Sequence, residues 1–196
     1  MFPGKYMSKK IEIKELSIGQ TIAVYNKSLK KDFPANERRP LALIVKGMLA
    51  GTYECLGAFY KEKIIGYAFF LKLDNDYLWD YLAVLEKYRC KGAGAKIIKA
   101  VKSYYKSANS VIGEVEDPDY AESDDERNLM TRRHNFYLRN GCVDTGVKAV
   151  TFGTHFIIIQ IVGRKLDEAK VAKLYKLHYK RSIPKRFYKD NIKVYR

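Results

Sequence analysis

The chain is 196 residues long, 47% apolar and 30% charged, enough for one well-filled core, and no run approaches the ~18 uncharged apolar residues that a membrane helix needs. Its start, MFPGKYMSKK, lacks the apolar core of a signal peptide, so a cytoplasmic protein is expected. Cys55, Cys90 and Cys142 show no paired spacing, which argues against a disulfide framework or a zinc site, and the net charge of +15 favours an anionic partner.

Ser17 followed three residues later by Gln20 forms a capping box, and Ile18, Ile22, Tyr25 and Leu29 recur at helical spacing, so a first helix is expected to run to about Lys31. Beyond the turn-like FPANERRP, Pro40 suits the first position of a second helix, the apolar run to Leu49 its body and Gly51 its end. Residues 54–60, 63–71 and 77–84 are β-rich and separated by KEK and the DNDY region, which reads as an antiparallel meander. Residues 92–107 carry Ile97, Ile98, Val101, Tyr104 and Tyr105 on a helical stripe, and a short strand follows over 111–115. An acidic segment leads to a helix over about 125–140 stopped by Gly141, then strands over 147–152 and 155–162, an amphipathic helix over 167–179 and a basic tail. The order ααβββαβαββα is a mixed sheet with helices on both faces, because a strand–helix–strand connection normally lays its two strands parallel. No repeat or linker divides the chain, so residues 1–196 are read as one domain with a basic C-terminal extension over 180–196.

The stretch YLAVLEKYRCKGAGAKII, residues 81–98, ends a strand, turns through basic and glycine residues and begins a helix. Phosphate suits such a place: a helix N-terminus offers unpaired N–H groups and the positive end of a dipole, and Gly92 and Gly94 let an anion approach the backbone. Arg89, Lys91 and Lys96 add charge. A G-x-G pair alone describes a tight turn into a helix equally well. The stretch is not a P-loop, since no glycine stands five residues before a Gly-Lys-Ser/Thr, and not a dinucleotide fingerprint, since Ile97 takes the place of the third glycine.

It resembles motif A of the GNAT superfamily of acyl-CoA-dependent N-acetyltransferases, whose R/Q-x-x-G-x-G/A signature is met by Arg89, Gly92 and Gly94. Leu82, Ala83 and Val84 look like the end of that family's fourth strand, and NFYLRNGC, residues 135–142, resembles motif B, with Tyr137 on a helix shortly before Gly141. The resemblance spans residues 53–162 and implies a GNAT-like α/β fold: a central, mostly antiparallel sheet with one parallel strand pair and helices on both faces. It implies that the backbone of Arg89, Cys90, Lys91, Gly92, Ala93, Gly94 and Ala95 holds the pyrophosphate of acetyl-CoA, and that Leu82, Ala83 and Val84 pair with its pantetheine like an added strand. Tyr137 is implied as the acid that protonates the leaving thiolate. Cys90 stands where the family often has glycine, which is tolerable if its torsion is ordinary; Met130 stands where the family tends to have an asparagine against pantetheine, with Arg132 or Arg133 as an alternative phosphate contact. The implied activity is acetyl transfer from acetyl-CoA to an amine of a small molecule or protein. The alternative is a basic RNA-binding or acyl-CoA-sensing protein on the same fold without catalysis.

An alkyl amine has a pKa of about 10, so direct transfer needs an acceptor for its proton. Glu114 and Glu116 sit at i and i+2 of one strand, and Asp80 lies two residues before Leu82. Glu116 or Asp80 is the expected base, set against the reading of each as an ion-paired strand charge. Tyr137 is one of sixteen tyrosines, and a helix tyrosine often serves only packing. Eight of the thirteen residues from 114 to 126 are acidic, a local anionic lip that would suit a cationic acceptor such as a polyamine, an aminoglycoside or a lysine, or else a plain solvated loop. His134, His155 and His178 are too scattered for metal ligation, and no metal is expected. The tail interleaves Lys and Arg with Phe187, Tyr188 and Tyr195, a composition compatible with nucleic-acid contact, although docking of the aromatics on the core is the commoner use. A membrane partner is not expected, and monomer and homodimer are both open.

Overall fold

The computed structural model describes residues 10–195; the N-terminal residues read above for a signal core, and Arg196 at the end of the basic tail, lie outside the described residues. The chain divides into two compact units, one of residues 10–70 and 80–105, the other of residues 71–79 and 106–195. Hydrogen bonding orders the strands β1 (Glu12–Glu15), β2 (Tyr53–Tyr60), β3 (Lys63–Leu73), β4 (Asp76–Val84), β5 (Ser110–Glu116), β7 (Thr154–Gly163), β6 (Val143–Thr151) and β8 (Ile192–Tyr195). The sheet is mixed and mostly antiparallel, with β4 and β5 as its parallel pair, as the strand–helix–strand order requires.

In the first unit β1 pairs antiparallel with β2, Glu12 opposite Phe59 and Glu15 opposite Leu56. No periodicity marks β1 in the sequence: EIKE is mostly charged and exposed, and an edge strand can form through its ladder of backbone bonds with little burial. α1 (Ile18–Val24) starts at the expected capping box, Ser17 N–H donating to Gln20 Oε1 at 2.9 Å and Gln20 N–H to Ser17 Oγ at 3.2 Å. It continues through a π-helical turn (Tyr25–Leu29) into α2 (Lys30–Asp32). α3 (Leu41–Leu49) is entered at Pro40, which caps the helix rather than opening it. α4 (Ala93–Tyr104) buries Ala93, Ile97, Ile98 and Val101, the expected stripe, while Tyr104 stays partly exposed. Gly66 of β3 makes that packing possible, since a Cβ there would lie 2.6 Å from Ile97 Cδ1 and 2.7 Å from the Ala83 carbonyl oxygen.

In the second unit the parallel register runs from Asp76 opposite Ser110 to Trp79 opposite Gly113. β5 pairs antiparallel with β7, and β7 with β6. β6 ends at Thr151, one residue short of expectation, because Phe152 (φ 50) and Gly153 (φ 86) form the hairpin turn to β7. Positive φ at both central residues is the twist-matched geometry for a two-residue hairpin. α5 (Asp124–Arg139) begins at the Ser123 cap and stops before Gly141, whose φ is 75. α6 (Glu168–Ser182) outlasts its expected end by three residues, and the basic tail folds into α7 (Lys185–Asn191) and β8, which pairs with β6. The core of this unit includes Ile112, Val147, Ile158, Val171 and Tyr175. Among the described residues no helix is long and apolar enough to cross a membrane.

Candidate active site

The turn from β4 to α4 lies in the first unit. A short 3-10 turn, Glu86–Tyr88, follows β4, and Gly92 then caps α4 with φ 70 and ψ 8 and no side-chain cap bond. A Cβ built on Gly92 meets nothing within 4 Å, so its left-handed torsion rather than crowding calls for glycine. The first N–H groups of a 12-residue helix are therefore uncapped by side chain beside open space. Cys90 also has positive φ, at 59. The condition on which cysteine was tolerable there, an ordinary torsion, is not met: the turn uses the left-handed region twice, and the exposed cysteine carries the strain.

The basic side chains of the turn brace it. Arg89 Nε donates to the Val84 carbonyl at 3.0 Å, its guanidinium also pairs with Asp32 Oδ1, and Asp32 Oδ2 accepts from the Tyr67 hydroxyl at 2.8 Å. Lys91 Nζ donates to the Lys87 carbonyl at 3.0 Å. Burial, and next the Asp32 carboxylate, keep the Tyr67 phenol protonated by raising its pKa. Asp32 was not a sequence candidate, because 57 residues separate it from Arg89. Leu82, Ala83 and Val84 lie on the part of β4 beyond its parallel register.

Asp80, also in the first unit, is held by two partners: Arg39 Nε donates to its Oδ2 at 2.8 Å and the Tyr53 hydroxyl at 2.5 Å. Both members of the ion pair have side chains only 8% exposed. Backbone bonds fix the loop that delivers Arg39: its N–H donates to the Tyr81 hydroxyl at 2.6 Å, and its carbonyl accepts from the Tyr25 hydroxyl at 3.0 Å. Nothing in the turn-like FPANERRP signals this partnership.

In the second unit Tyr137 packs edge-on against Trp79, ring centroids 5.3 Å apart. Burial pushes its phenol up to about 12, nearby Arg133 opposing and Glu116 adding a smaller rise. Among the described residues no hydrogen-bond partner of its hydroxyl is found. Glu116 forms an ion pair with Arg133. Arg133, weighed above as a phosphate contact, is thus engaged with a carboxylate, and the Met130 side chain is buried in its unit. Glu114 instead accepts from the hydroxyls of Tyr175 and Tyr179.

The remaining acids of the 114–126 segment are divided. Lys148 Nζ lies 2.8 Å from Asp117 and 3.2 Å from Asp119, Tyr120 stacks on His155 at 3.5 Å, and Asp124, Asp125 and Glu126 occupy the first turn of α5. That last placement is where a helix dipole favours carboxylates, so the lip is largely consumed by local structure. Among the described residues no group of three or more His, Cys, Asp or Glu is placed to hold a metal ion.

Residues 51–141 match the family model described as an acetyltransferase (GNAT) domain. No curated protein matches the chain by sequence. Among solved structures, a GNAT-family protein of Bacteroides thetaiotaomicron is similar with a TM-score of 0.68 and 20% identity, covering 85% of this chain and 96% of that one. An aminoglycoside 6'-N-acetyltransferase complexed with coenzyme A superposes with a TM-score of 0.52 at 14% identity, over 78% of this chain and 98% of that one. The PaiA N-acetyltransferase of Thermoplasma acidophilum, also in complex with coenzyme A, gives 0.50 at 20%, over 77% and 98%.

Proposed function

From the match of residues 51–141 to the model of an acetyltransferase (GNAT) domain, we propose that the chain is an N-acetyltransferase that moves the acetyl group of acetyl-CoA directly to an amine of a small molecule or protein. The observation that carries the reading is the turn into α4, with left-handed Gly92 ahead of a helix whose first N–H groups have no side-chain cap. Such a helix end binds phosphate through backbone donors. Arg89 and Lys91 support the turn from behind, their side chains held by Asp32, Val84 and Lys87. Coenzyme A in the complexes of the aminoglycoside 6'-N-acetyltransferase and the PaiA enzyme supports acetyl-CoA as the donor.

Acetyl-CoA supplies an activated thioester. The backbone of Arg89, Cys90, Lys91, Gly92, Ala93, Gly94 and Ala95 binds its pyrophosphate, and that of Leu82, Ala83 and Val84 receives its pantetheine as an added strand. The acceptor nitrogen forms the new amide bond as the C–S bond breaks; one proton leaves the nitrogen and one reaches the departing sulfur. Tyr137 gives the second proton, since a phenol held near pKa 12 stays protonated at neutral pH. Glu116 takes the first, directly or through water. It has one ionic partner and a side chain 21% exposed, whereas Asp80 is almost enclosed by Arg39 and Tyr53 and serves as a positioning group. The protein acts in the cytoplasm, and residues 1–196 work as one domain with a basic extension over 180–196.

The test is thermal unfolding with acetyl-CoA, followed by thiol release across a panel of polyamines, aminoglycosides and N-terminal peptides. At 100 times Kd a ligand of the folded state contributes about 2.7 kcal/mol, worth roughly 5–10 °C in a chain of this size. Absence of any shift at millimolar acetyl-CoA removes the proposal. A shift with no thiol release from any amine leaves an acyl-CoA sensor.

A further inference from the structure

The net charge of the protein is not spread evenly. Residues 51–141, the span that matches the family model, contain fourteen Lys and Arg and fourteen Asp and Glu and are balanced. The segment spanned by α6 and α7, residues 168–191, contains eight Lys and Arg against two acids.

On α6 the charges are sorted by face. Val171, Ala172, Tyr175, His178 and Tyr179 are buried, and Lys170, Lys173, Lys176 and Lys180 are exposed at spacings of three, three and four on the opposite side. At 1.5 Å per residue these four ammonium groups lie along about 15 Å of helix. Lys170 has a local partner, Asp167, at 3.4 Å. α7 packs beside α6 and continues the charge with exposed Lys185, Arg186 and Lys189. Between them Phe187 stands 43% exposed, with the Arg186 guanidinium 4.8 Å from its ring centroid.

We propose that this α6–α7 face binds single-stranded nucleic acid, the lysine row following the phosphates and Phe187 with Arg186 stacking a base. Regularly spaced cations neutralise a polyanion and release its counterions, and an exposed aromatic ring among them offers a sequence-tolerant platform for a base. An anionic membrane surface fits less well. An interfacial helix inserts its apolar face, and the apolar face of α6 is already buried in its own unit. The proposal is independent of acetyl transfer, because the residues it uses lie outside the span 51–141 that matches the family model and have no part in the acetyl transfer proposed above.

Fluorescence polarisation of the full chain with a labelled single strand of about 20 nucleotides tests it, titrated at several salt concentrations. Each phosphate contact on a single strand contributes about −0.7 to the slope of log K against log salt, so four or five contacts predict a slope near −3. The triple variant Lys173→Glu, Lys176→Glu, Lys180→Glu should lose at least tenfold in affinity, and the triple Lys→Gln variant somewhat less. Phe187→Ala should weaken single-strand binding about tenfold and duplex binding little, as expected for loss of one stacked base. None of the three should melt below the wild type, and each should keep the acetyl-CoA shift. Unchanged affinity in both triple variants would overturn the proposal, as would binding confined to phosphatidylserine vesicles. Duplex affinity equal to single-strand affinity with Phe187→Ala silent would overturn it too.

Discussion

The acid role proposed for Tyr137 rests on its surroundings. Its ring rests on Trp79, and burial raises its phenol to about 12. A group with that pKa stays an acid across the working range, so no falling limb from Tyr137 is expected in the pH–rate profile below about pH 11. Tyr137→Phe keeps the ring contact and removes the donor; it should lower kcat by about 10² with little change in acetyl-CoA affinity or unfolding temperature. Steady-state kinetics beside a thermal scan checks this. Loss of stability with kcat unchanged would make Tyr137 a packing residue. Its place before Gly141 is legible in sequence, and Arg133 lies on the same helix, but the Trp79 ring it packs against and the Glu116 carboxylate near its phenol come from β4 and β5.

At the level of elements, close approach and burial decide. Gly66 lets α4 seat against the end of β4, and the atoms nearest a new Cβ include a backbone oxygen that cannot swing aside. Gly66→Ala should therefore cost about 1–3 kcal/mol, the range for overpacking. It should also weaken acetyl-CoA binding by displacing the turn; urea unfolding and calorimetric titration would separate the two effects. α6 supplies a pH dependence through His178, which is 2% exposed and whose pKa is lowered to about 4, chiefly by burial and then by Arg181. Folded His178 stays neutral where the unfolded chain, near 6.5, takes a proton. Stability is thus intact above about pH 6.5 and falls as pH drops toward 4, by up to about 3 kcal/mol. The difference in urea midpoint between pH 7.5 and 4.5 should shrink in His178→Leu, and an equal difference in both proteins would refute the assignment.

Across the whole molecule the net charge of +15 is an unfavourable field that the fold bears. Like charges repel in the compact state, and salt screens them over about 10 Å at 0.1 M. The melting temperature should therefore rise by a few degrees between 20 and 200 mM sodium chloride by calorimetry at constant pH. A fall would mean that attraction in pairs such as Arg39–Asp80 outweighs the repulsion. The carboxylates of the acidic segment offset part of this field locally, going to Lys148, Arg133 and the start of α5.

Sequence by itself determined the order of the central elements, the GNAT resemblance and the turn from Arg89 to Ala95, because helical and strand periodicity and turn chemistry are written in neighbouring residues. Wherever the stabilising partner was distant, the sequence was silent. β1 and β8 are four-residue strands that gain their form from the backbones of β2 and β6, so their side chains need no clear alternation. The left-handed torsion of Cys90, the brace of Asp32 on Arg89 and the enclosure of Asp80 by Arg39 and Tyr53 were decided only by tertiary structure. Each is a contact or conformation imposed by groups far along the chain, whose energies no local window contains.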